Sequence, residues 1–456
     1  MFYLFDPELG CGGLLNLRHL GRGPTSLTFV GIRIAVVGTG YVGLTTGACL
    51  SHLGHHVICA DVDSEKIAKL QDGKIPIVEL GLSELVREGI TSGRLSFVVG
   101  SADAVRNCEI AFLCVPTPQG EDGSADLSYI QQAAKDISAL LPFEAIVVNK
   151  STVPVGSTKV VERALGRPDV KVVSNPEFLR EGSAVQDFLK PDRVVIGSDD
   201  QAAAMKVASL YDGLSTRVII TDPASAETIK YAANAFLATK LSFINAIAAI
   251  CEGVGADIND VVVGMGSDKR IGESFLRPGP GWGGSCFPKD SRALIKIAQD
   301  ANYNFDLLKG VITVNDEQFN RVVDKIVHAT GGEIKNKTVA IWGFTFKAGT
   351  DDLRDSPSIQ IIQRLIDRGA KIRGFDPTVA NLKAGMPENV KVCGSPIEAT
   401  VGADALVVLT EWEDFKWVSP MEVAAVINGK QLIDARNLLT RKDWERAGFI
   451  YQGVGR

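Results

Sequence analysis

Apolar and polar positions divide the chain into short strand-like runs and longer amphipathic stretches. The β-branched run Ile32-Arg33-Ile34-Ala35-Val36-Val37 predicts a strand that leads into Gly38-Thr39-Gly40-Tyr41-Val42-Gly43 and a helical stretch to Leu53. A second strand, Val57-Ile58-Cys59-Ala60, is closed by Asp61. Further strands are predicted at residues 110–115, 145–149, 170–173 and 193–197, each followed by a polar or Pro/Gly-bearing loop. From about 224 to 254 the pattern becomes one long, alanine-rich apolar helix, unbroken until Gly253 and long enough to join two domains and pack against a copy of itself. A second α/β pattern begins near Lys337, with strands at 339–342, 371–375, 405–409 and 431–433 and an amphipathic helix ending at Gly369. The expected fold is α/β, with two Rossmann-like doubly wound domains joined by a long central helix. Its parts are an extension over 1–31, a dinucleotide-binding domain over 32–220, a central helical dimerisation domain over 221–330 and a second Rossmann-like domain over 331–456, with a linker near 331–336.

The first turn carries a specific signal. A bare GxGxxG recurs by chance, but here a strand precedes it, a helix follows and an acid stands about 20 positions on. Gly38, Gly40 and Gly43 would let a pyrophosphate approach the backbone at a helix N-terminus, with Asp61 accepting from the adenosine ribose hydroxyls. An aspartate there disfavours a 2′-phosphate, so NAD is expected rather than NADP; Asp63 reads as a solvated turn residue. The turn Gly343-Phe344-Thr345-Phe346-Lys347 of the second domain lacks this glycine pattern and is expected to serve another ligand. Ligands of doubly wound sheets lie beyond the carboxyl ends of strands, which singles out Pro116-Thr117-Pro118, residues 150–154 and residues 175–181.

Composition narrows the partners. A formal net charge of −6 leaves no basic footprint, so nucleic acid is not expected, and an anionic substrate must meet a local cluster of Lys and Arg. Eight cysteines without CxxC pairing or metal-like spacing, several of them (Cys49, Cys59, Cys108, Cys114) inside apolar runs, predict core thiols, a reducing cytoplasm and no metal. No run reaches the roughly 18 apolar residues of a membrane span, 243–251 coming nearest, and the first thirty residues lack the order of a signal peptide.

One cysteine differs. Cys286 stands in Gly281-Trp282-Gly283-Gly284-Ser285-Cys286-Phe287-Pro288-Lys289-Asp290, whose glycines can wrap a ligand and whose Pro288 suits the first turn of a helix. There the helix dipole and Lys289 are expected to favour the reactive thiolate. A lone cysteine is ordinarily an inert core residue. The glycine-rich, charged flank argues otherwise, and a thiol in a chain with a hydride acceptor suggests oxidation through a covalent thioester. Lys230 and Asn234, four apart on the long helix, could be a snorkelling lysine and a surface amide, but so much apolar flank points them into a cleft.

Together, the glycine turn, Lys150-Ser151-Thr152, Asn175-Pro176-Glu177-Phe178-Leu179-Arg180-Glu181, Lys230 with Asn234, residues 281–290 and residues 343–356 resemble the nucleotide-sugar 6-dehydrogenases, from about Ile32 onward. The resemblance implies NAD-dependent four-electron oxidation of UDP-glucose at C6 to UDP-glucuronate by a homodimer. Cys286 would capture the aldehyde as a thiohemiacetal that is oxidised to a thioester, Lys230 and Asn234 would stabilise oxyanions, Asp290 and Thr152 would hold the water that accepts the alcohol proton, and Glu181 would be the base for hydrolysis. Position by position it implies NAD contacts at Gly38, Gly40, Tyr41, Val42, Gly43, Asp61, Lys66, Thr117, Thr152, Glu181, Lys289 and Arg354. UDP-sugar contacts follow at Glu177, Phe178, Leu179, Arg180, Glu181, Lys230, Asn234, Phe275, Leu276, Gly279, Gly283 and Lys347, with Arg270 donated across the dimer interface and residues 331–456 as the UDP-sugar domain. Trp282 stands where the family usually has tyrosine. A sister enzyme for GDP-mannose or a UDP-N-acetylhexosamine is the nearest alternative, with Ser285 and Phe287 favouring UDP-glucose. A non-catalytic nucleotide-sugar sensor is another, against which Cys286, Lys230, Asn234 and Asp290 argue.

Residues 1–30 show no periodic apolar face to bury, so their removal is expected to leave melting temperature and turnover close to those of the full chain. A large drop in thermal unfolding or steady-state NADH formation would show that the segment docks on the fold.

Overall fold

The computed structural model describes residues 31–120, 125–378 and 385–456, so the extension expected over 1–31 falls outside them except for Gly31. The first sheet has eight strands, β1 (Arg33–Val37), β2 (His56–Asp61), β3 (Leu95–Val99), β4 (Ile110–Leu113), β5 (Ile146–Asn149), β6 (Lys171–Ser174), β7 (Arg193–Gly197) and β8 (Arg217–Thr221), in the order β3-β2-β1-β4-β5-β6-β7-β8. Neighbours are parallel except β6 and β7, which meet antiparallel at Ser174 and Gly197. The second sheet is fully parallel, with β9 (Thr338–Trp342), β10 (Lys371–Phe375), β11 (Val390–Val392), β12 (Ala405–Val408), β13 (Gln431–Asp434) and β14 (Ile450–Gln452) in the order β11-β10-β9-β12-β13-β14. Each chain half starts mid-sheet and reverses direction there, leaving a crevice beyond the carboxyl ends of β1 and β4, and again beyond β9 and β12. Helices cover both faces, which is why β4, β5 and β12 are buried at every position and read as unbroken apolar runs.

A helix of 32 residues, Pro223–Val254, links the two halves. Asp222 caps it, accepting from Ser225 N at 2.8 Å, Pro223 occupies the first turn, and Gly255 ends it in the left-handed conformation. It packs against the helices Phe287–Asp300 and Asp306–Ala329. Counter to the expectation from sequence, this helix is long and apolar enough to cross a membrane. Its polar residues Glu227, Lys230, Asn234 and Asn245 are nevertheless buried against protein.

Glu227 fastens the helix to the first sheet's loops. Its carboxylate accepts from Gly156 N (2.6 Å), Thr158 N (3.0 Å) and Thr158 Oγ1 (2.8 Å), satisfying the start of helix Ser157–Leu165. Glu227→Ala would leave these buried donors unpaired and is expected to cost about 2–4 kcal/mol. Urea and thermal unfolding would check this, and an unchanged midpoint would refute the fastening role.

Candidate active site

The turn after β1 shows why its glycines stand where they do. A Cβ on Gly43 would lie 1.9 Å from the Gly38 carbonyl oxygen, so only glycine lets the helix Tyr41–His52 begin this close to the strand. At Gly40, the cap of that helix, a Cβ would meet nothing within 4 Å; free amides beside an open face suit a pyrophosphate. Asp61, at the end of β2, accepts from Thr39 N (2.8 Å), Thr39 Oγ1 (2.6 Å) and Lys66 Nζ (2.9 Å). Burial opposes its charge, but these bonds pull the carboxyl down to about 2. Glycine cradle, helix N-terminus and ionised acid together fit a dinucleotide. Asp63 caps the next helix, accepting from Lys66 N at 3.0 Å. After β10 the equivalent Asp376 is fully buried and accepts from Phe344 N (2.8 Å), Thr345 N (3.2 Å) and Trp412 Nε1 (3.1 Å), so an indole fills the place that lies open beside Asp61.

A polar cluster lies beyond the strand ends, inside the protein. Lys230 Nζ donates to Glu177 Oε1 at 2.7 Å, with both side chains 4% exposed, and Leu179 N donates to Glu177 Oε2 at 2.6 Å. One turn along the central helix, Asn234 Nδ2 donates to Asp290 Oδ2, and Lys289 Nζ to Asp290 Oδ1, both at 2.7 Å. Burial works against charge on both members of the first pair, yet Lys230 stays above the usual lysine value because of Glu177, Cys286 and Asp290, and Glu177 below the usual carboxylate value because of Lys230. Cys286 caps the helix Phe287–Asp300, as expected, but not as a thiolate. Burial pushes the thiol up to about 11 against the pull of Lys230, with Glu177 and Asp290 adding to the rise, while Lys289 is spent on Asp290.

Glu181 closes the other side. It accepts from Ser285 Oγ (3.0 Å) and Arg354 Nη2 (3.2 Å), and that guanidinium also holds Asp352 at 2.7 Å. Burial and then Asp352 push its carboxyl up to about 7, Arg354 opposing. The loop carrying it is tied to the glycine turn through Glu79, which accepts from Tyr41 Oη and, at 2.7 Å, from Gly182 N. Nothing in the sequence pattern marked Glu79, which lies in irregular chain whose partners are remote along the sequence.

The other expected site residues are distributed as follows. Thr117 Oγ1 donates to the Thr152 carbonyl (2.9 Å), joining two post-strand loops, and Val42 is half-buried against the first sheet's core. Phe178 lies 3.6 Å beneath the Arg193 guanidinium, whereas Arg180 turns outward to Asp187 (2.5 Å). Lys347 faces Glu181 and Arg180, its pKa lowered by burial. Phe275 packs on Phe287, and Gly279 N donates to Asn245 Oδ1 at 2.8 Å. The Leu276 side chain is absorbed in the core beside Phe319 and Ile244, leaving only its backbone for a ligand. At Gly283 a Cβ would sit 1.9 Å from the Asp355 carbonyl oxygen, so the glycine is required by chain packing. Arg270 is 88% exposed, bonded to Asp268, and joins none of these groups.

Residues 32–215 match the NAD binding domain, 224–317 the central domain and 340–441 the UDP binding domain of one family, UDP-glucose/GDP-mannose dehydrogenase. The UDP-glucose 6-dehydrogenase of Rhizobium meliloti is 44% identical over 435 residues, covering 93% of this chain and 100% of that protein. A UDP-glucose 6-dehydrogenase of Bacillus subtilis is 44% identical over 430 residues, with 93% of each covered. Among solved structures, a UDP-glucose dehydrogenase from Pyrobaculum islandicum superposes with a TM-score of 0.87 at 34% identity, covering 95% of this chain and 100% of that one. The UDP-D-ManNAc dehydrogenase of Pyrococcus horikoshii follows with a TM-score of 0.83 at 26% identity, covering 93% and 99%. With three domains matched in order and relatives aligned over nearly their whole length, this chain belongs to the UDP-glucose/GDP-mannose dehydrogenase family.

Proposed function

We propose that this chain is an NAD-dependent oxidoreductase that converts UDP-glucose to UDP-glucuronate through a thioester on Cys286. The observation that carries the reading is the buried cluster of Lys230, Asn234, Glu177 and Asp290 around a thiol at a helix start. The relatives named UDP-glucose 6-dehydrogenase supply the substrate, in preference to GDP-mannose or an N-acetylhexosamine. In this reading 32–220 holds NAD, 331–456 holds the UDP sugar and 221–330 joins them. NAD is held by the Gly38–Gly43 turn with Tyr41 and Val42, Asp61 and Lys66, Thr117 and Thr152, Glu181, Lys289 and Arg354, and it supplies the hydride acceptor.

The chain's own residues handle protons and charge. Asp290 and Thr152 hold the water that takes the alcohol proton, and Asn234 and Lys289 orient Asp290 for it. Cys286 captures the aldehyde carbon, and the oxyanion that forms meets the Lys230 cation and the Asn234 amide, a fixed charge and dipole in place of water. Glu181 takes the proton of the hydrolytic water; a carboxyl near 7 is half ionised at neutral pH and suits a base. Lys230, Lys347 and, from across the dimer, Arg270 are cations for the anionic substrate. A homodimer through the central helix is supported by Phe236, Phe243 and Ile250, exposed at seven-residue spacing, and would bring Arg270 to a neighbouring site. The seven described cysteines are unpaired thiols, which suits the cytoplasm.

Cys286→Ala is expected to abolish acid formation while folding and NAD binding persist; acid with two NADH per sugar from this variant would sink the covalent route. Glu181→Gln should accumulate a thioester, seen as a mass increase on the Cys286 peptide. If Glu177→Gln accumulates it and Glu181→Gln turns over, the base is Glu177 instead. Asp61→Ala is expected to weaken NAD binding by about 1.5–3 kcal/mol, with UDP-glucose binding nearly intact. Calorimetry would decide it, and equal losses for both ligands would contradict the division of the two between domains.

A further inference from the structure

The thiol that this chemistry requires is protonated where it stands, with its pKa pushed up to about 11 by burial. The charged groups facing it are Lys230 on the central helix, Glu177 after β6, Asp290 on its own helix and Arg354 before helix Pro357–Asp367. The two carboxylates are committed, Glu177 to Lys230 Nζ and Leu179 N, and Asp290 to Asn234 and Lys289. Ser285 remains. Its Oγ lies 3.6 Å from Cys286 Sγ and donates to Glu181 Oε1 at 3.0 Å. Glu181 is faced by Asp352, Arg354, Lys347 and Tyr41, its carboxyl lies within hydrogen-bonding reach of the Asp352 carboxyl, and its other oxygen, Oε2, is buried without a donor. A buried acceptor with no donor is costly unless a proton or a water reaches it during turnover.

We propose that the Ser285 hydroxyl is a proton relay between Cys286 and Glu181, used once in each direction per catalytic cycle. The proposal rests on the thioester reading above. In aldehyde capture the sulfur–carbon bond forms, the carbonyl π pair moves to oxygen beside Lys230, the thiol proton passes to Ser285 Oγ, and the serine's own proton passes to Glu181 Oε1. Glu181 then loses that proton to solvent, one of those liberated when an alcohol becomes a carboxylate. In hydrolysis the water oxygen bonds to the thioester carbon and its proton goes to Glu181. The carbon–sulfur bond then breaks, and the departing thiolate takes a proton from Ser285, which is refilled from Glu181. The second leg runs downhill, from a carboxyl near 7 to a thiol near 11. The first leg is uphill and proceeds only as the sulfur–carbon bond forms, which is what makes a positioned base useful.

The test compares full-length wild type, Ser285→Ala and Ser285→Thr, with kcat measured between about pH 6 and pH 10 and both ligands titrated by calorimetry. Wild-type kcat should rise with pH and level off above the Glu181 value of about 7. Ser285→Ala should bind NAD and UDP-glucose normally, turn over about 100-fold more slowly at neutral pH, and keep rising with pH as bulk hydroxide replaces the relay. Ser285→Thr, which keeps a hydroxyl, should recover the break near 7 and most of the rate. An alanine variant within twofold of wild type, one that is slower but retains the break near 7, or one that loses ligand binding would overturn the relay. Glu181→Gln removes the relay's acceptor as well as the hydrolytic base, so its thioester should form slowly, faster at high pH, and then persist, whereas acid production at the wild-type rate by this variant would instead overturn the underlying assignment of the base.

Discussion

The buried ion pair between Lys230 and Glu177 is the interaction on which the site depends. Removing two charges from water costs several kcal/mol each, recovered only with good geometry and further hydrogen bonds. Here the pair closes at 2.7 Å, and the Leu179 amide occupies the second carboxylate oxygen. Lys150 makes the contrast. Equally buried, it donates to the neutral Asn175 Oδ1 (3.0 Å) and Tyr211 Oη (3.3 Å), and burial lowers its pKa to about 8. Without a carboxylate in contact the lysine pKa falls in this interior, whereas Lys230, paired with Glu177, stays above the usual lysine value. The same contact pins the loop after β6 to the central helix, which sets where Glu181, four residues further on, can stand.

That helix organises three regions of the chain around Cys286. It presents Lys230 and Asn234 on one face, lies along the helix that Cys286 caps, and is fastened to the first sheet's loops by Glu227. The second half of the chain reaches the site through the segment before helix Pro357–Asp367, where Asp352 and Arg354 surround Glu181. Contacts that admit no side chain hold this segment in place. A Cβ on Gly182 would lie 2.6 Å from the Gly349 carbonyl oxygen, as one on Gly283 would against Asp355. The ionisation of the proposed base therefore depends on how the second half docks, which ties the hydrolytic step to the domain assigned to the UDP sugar.

The second sheet repeats the strand order of the first six strands of the first, and the two differ in what they leave open. Asp61 keeps a partly exposed carboxylate next to the Gly40 face, whereas Asp376 is sealed beneath Trp412. That six-strand order is common to both halves, and the difference at the site comes from a few side chains at the strand ends, where fold and function separate.

The amino-acid sequence by itself determined the inner strands, the central helix, the dinucleotide turn and the place of Cys286 at a helix start, because each is a local pattern: apolar runs covered on both faces, an unbroken helical stretch, glycines at fixed spacing before a helix. It did not reveal β3, β8, β11 and β14, which are the four sheet edges. An edge strand has one neighbour and partial exposure, so its apolar signal is diluted, as in β8 and β11, where exposed and half-buried positions alternate or dominate. Only the tertiary structure decided the protonation of Cys286, the pairing of Lys289 with Asp290, the binding of Glu79 to both Tyr41 and Gly182, and the elevation of Glu181 by Asp352. Burial sets the first, Asp352 is remote along the chain from Glu181 as Gly182 is from Glu79, and although Lys289 and Asp290 are sequence neighbours, it is the fold that turns Lys289 to Asp290 rather than to the thiol.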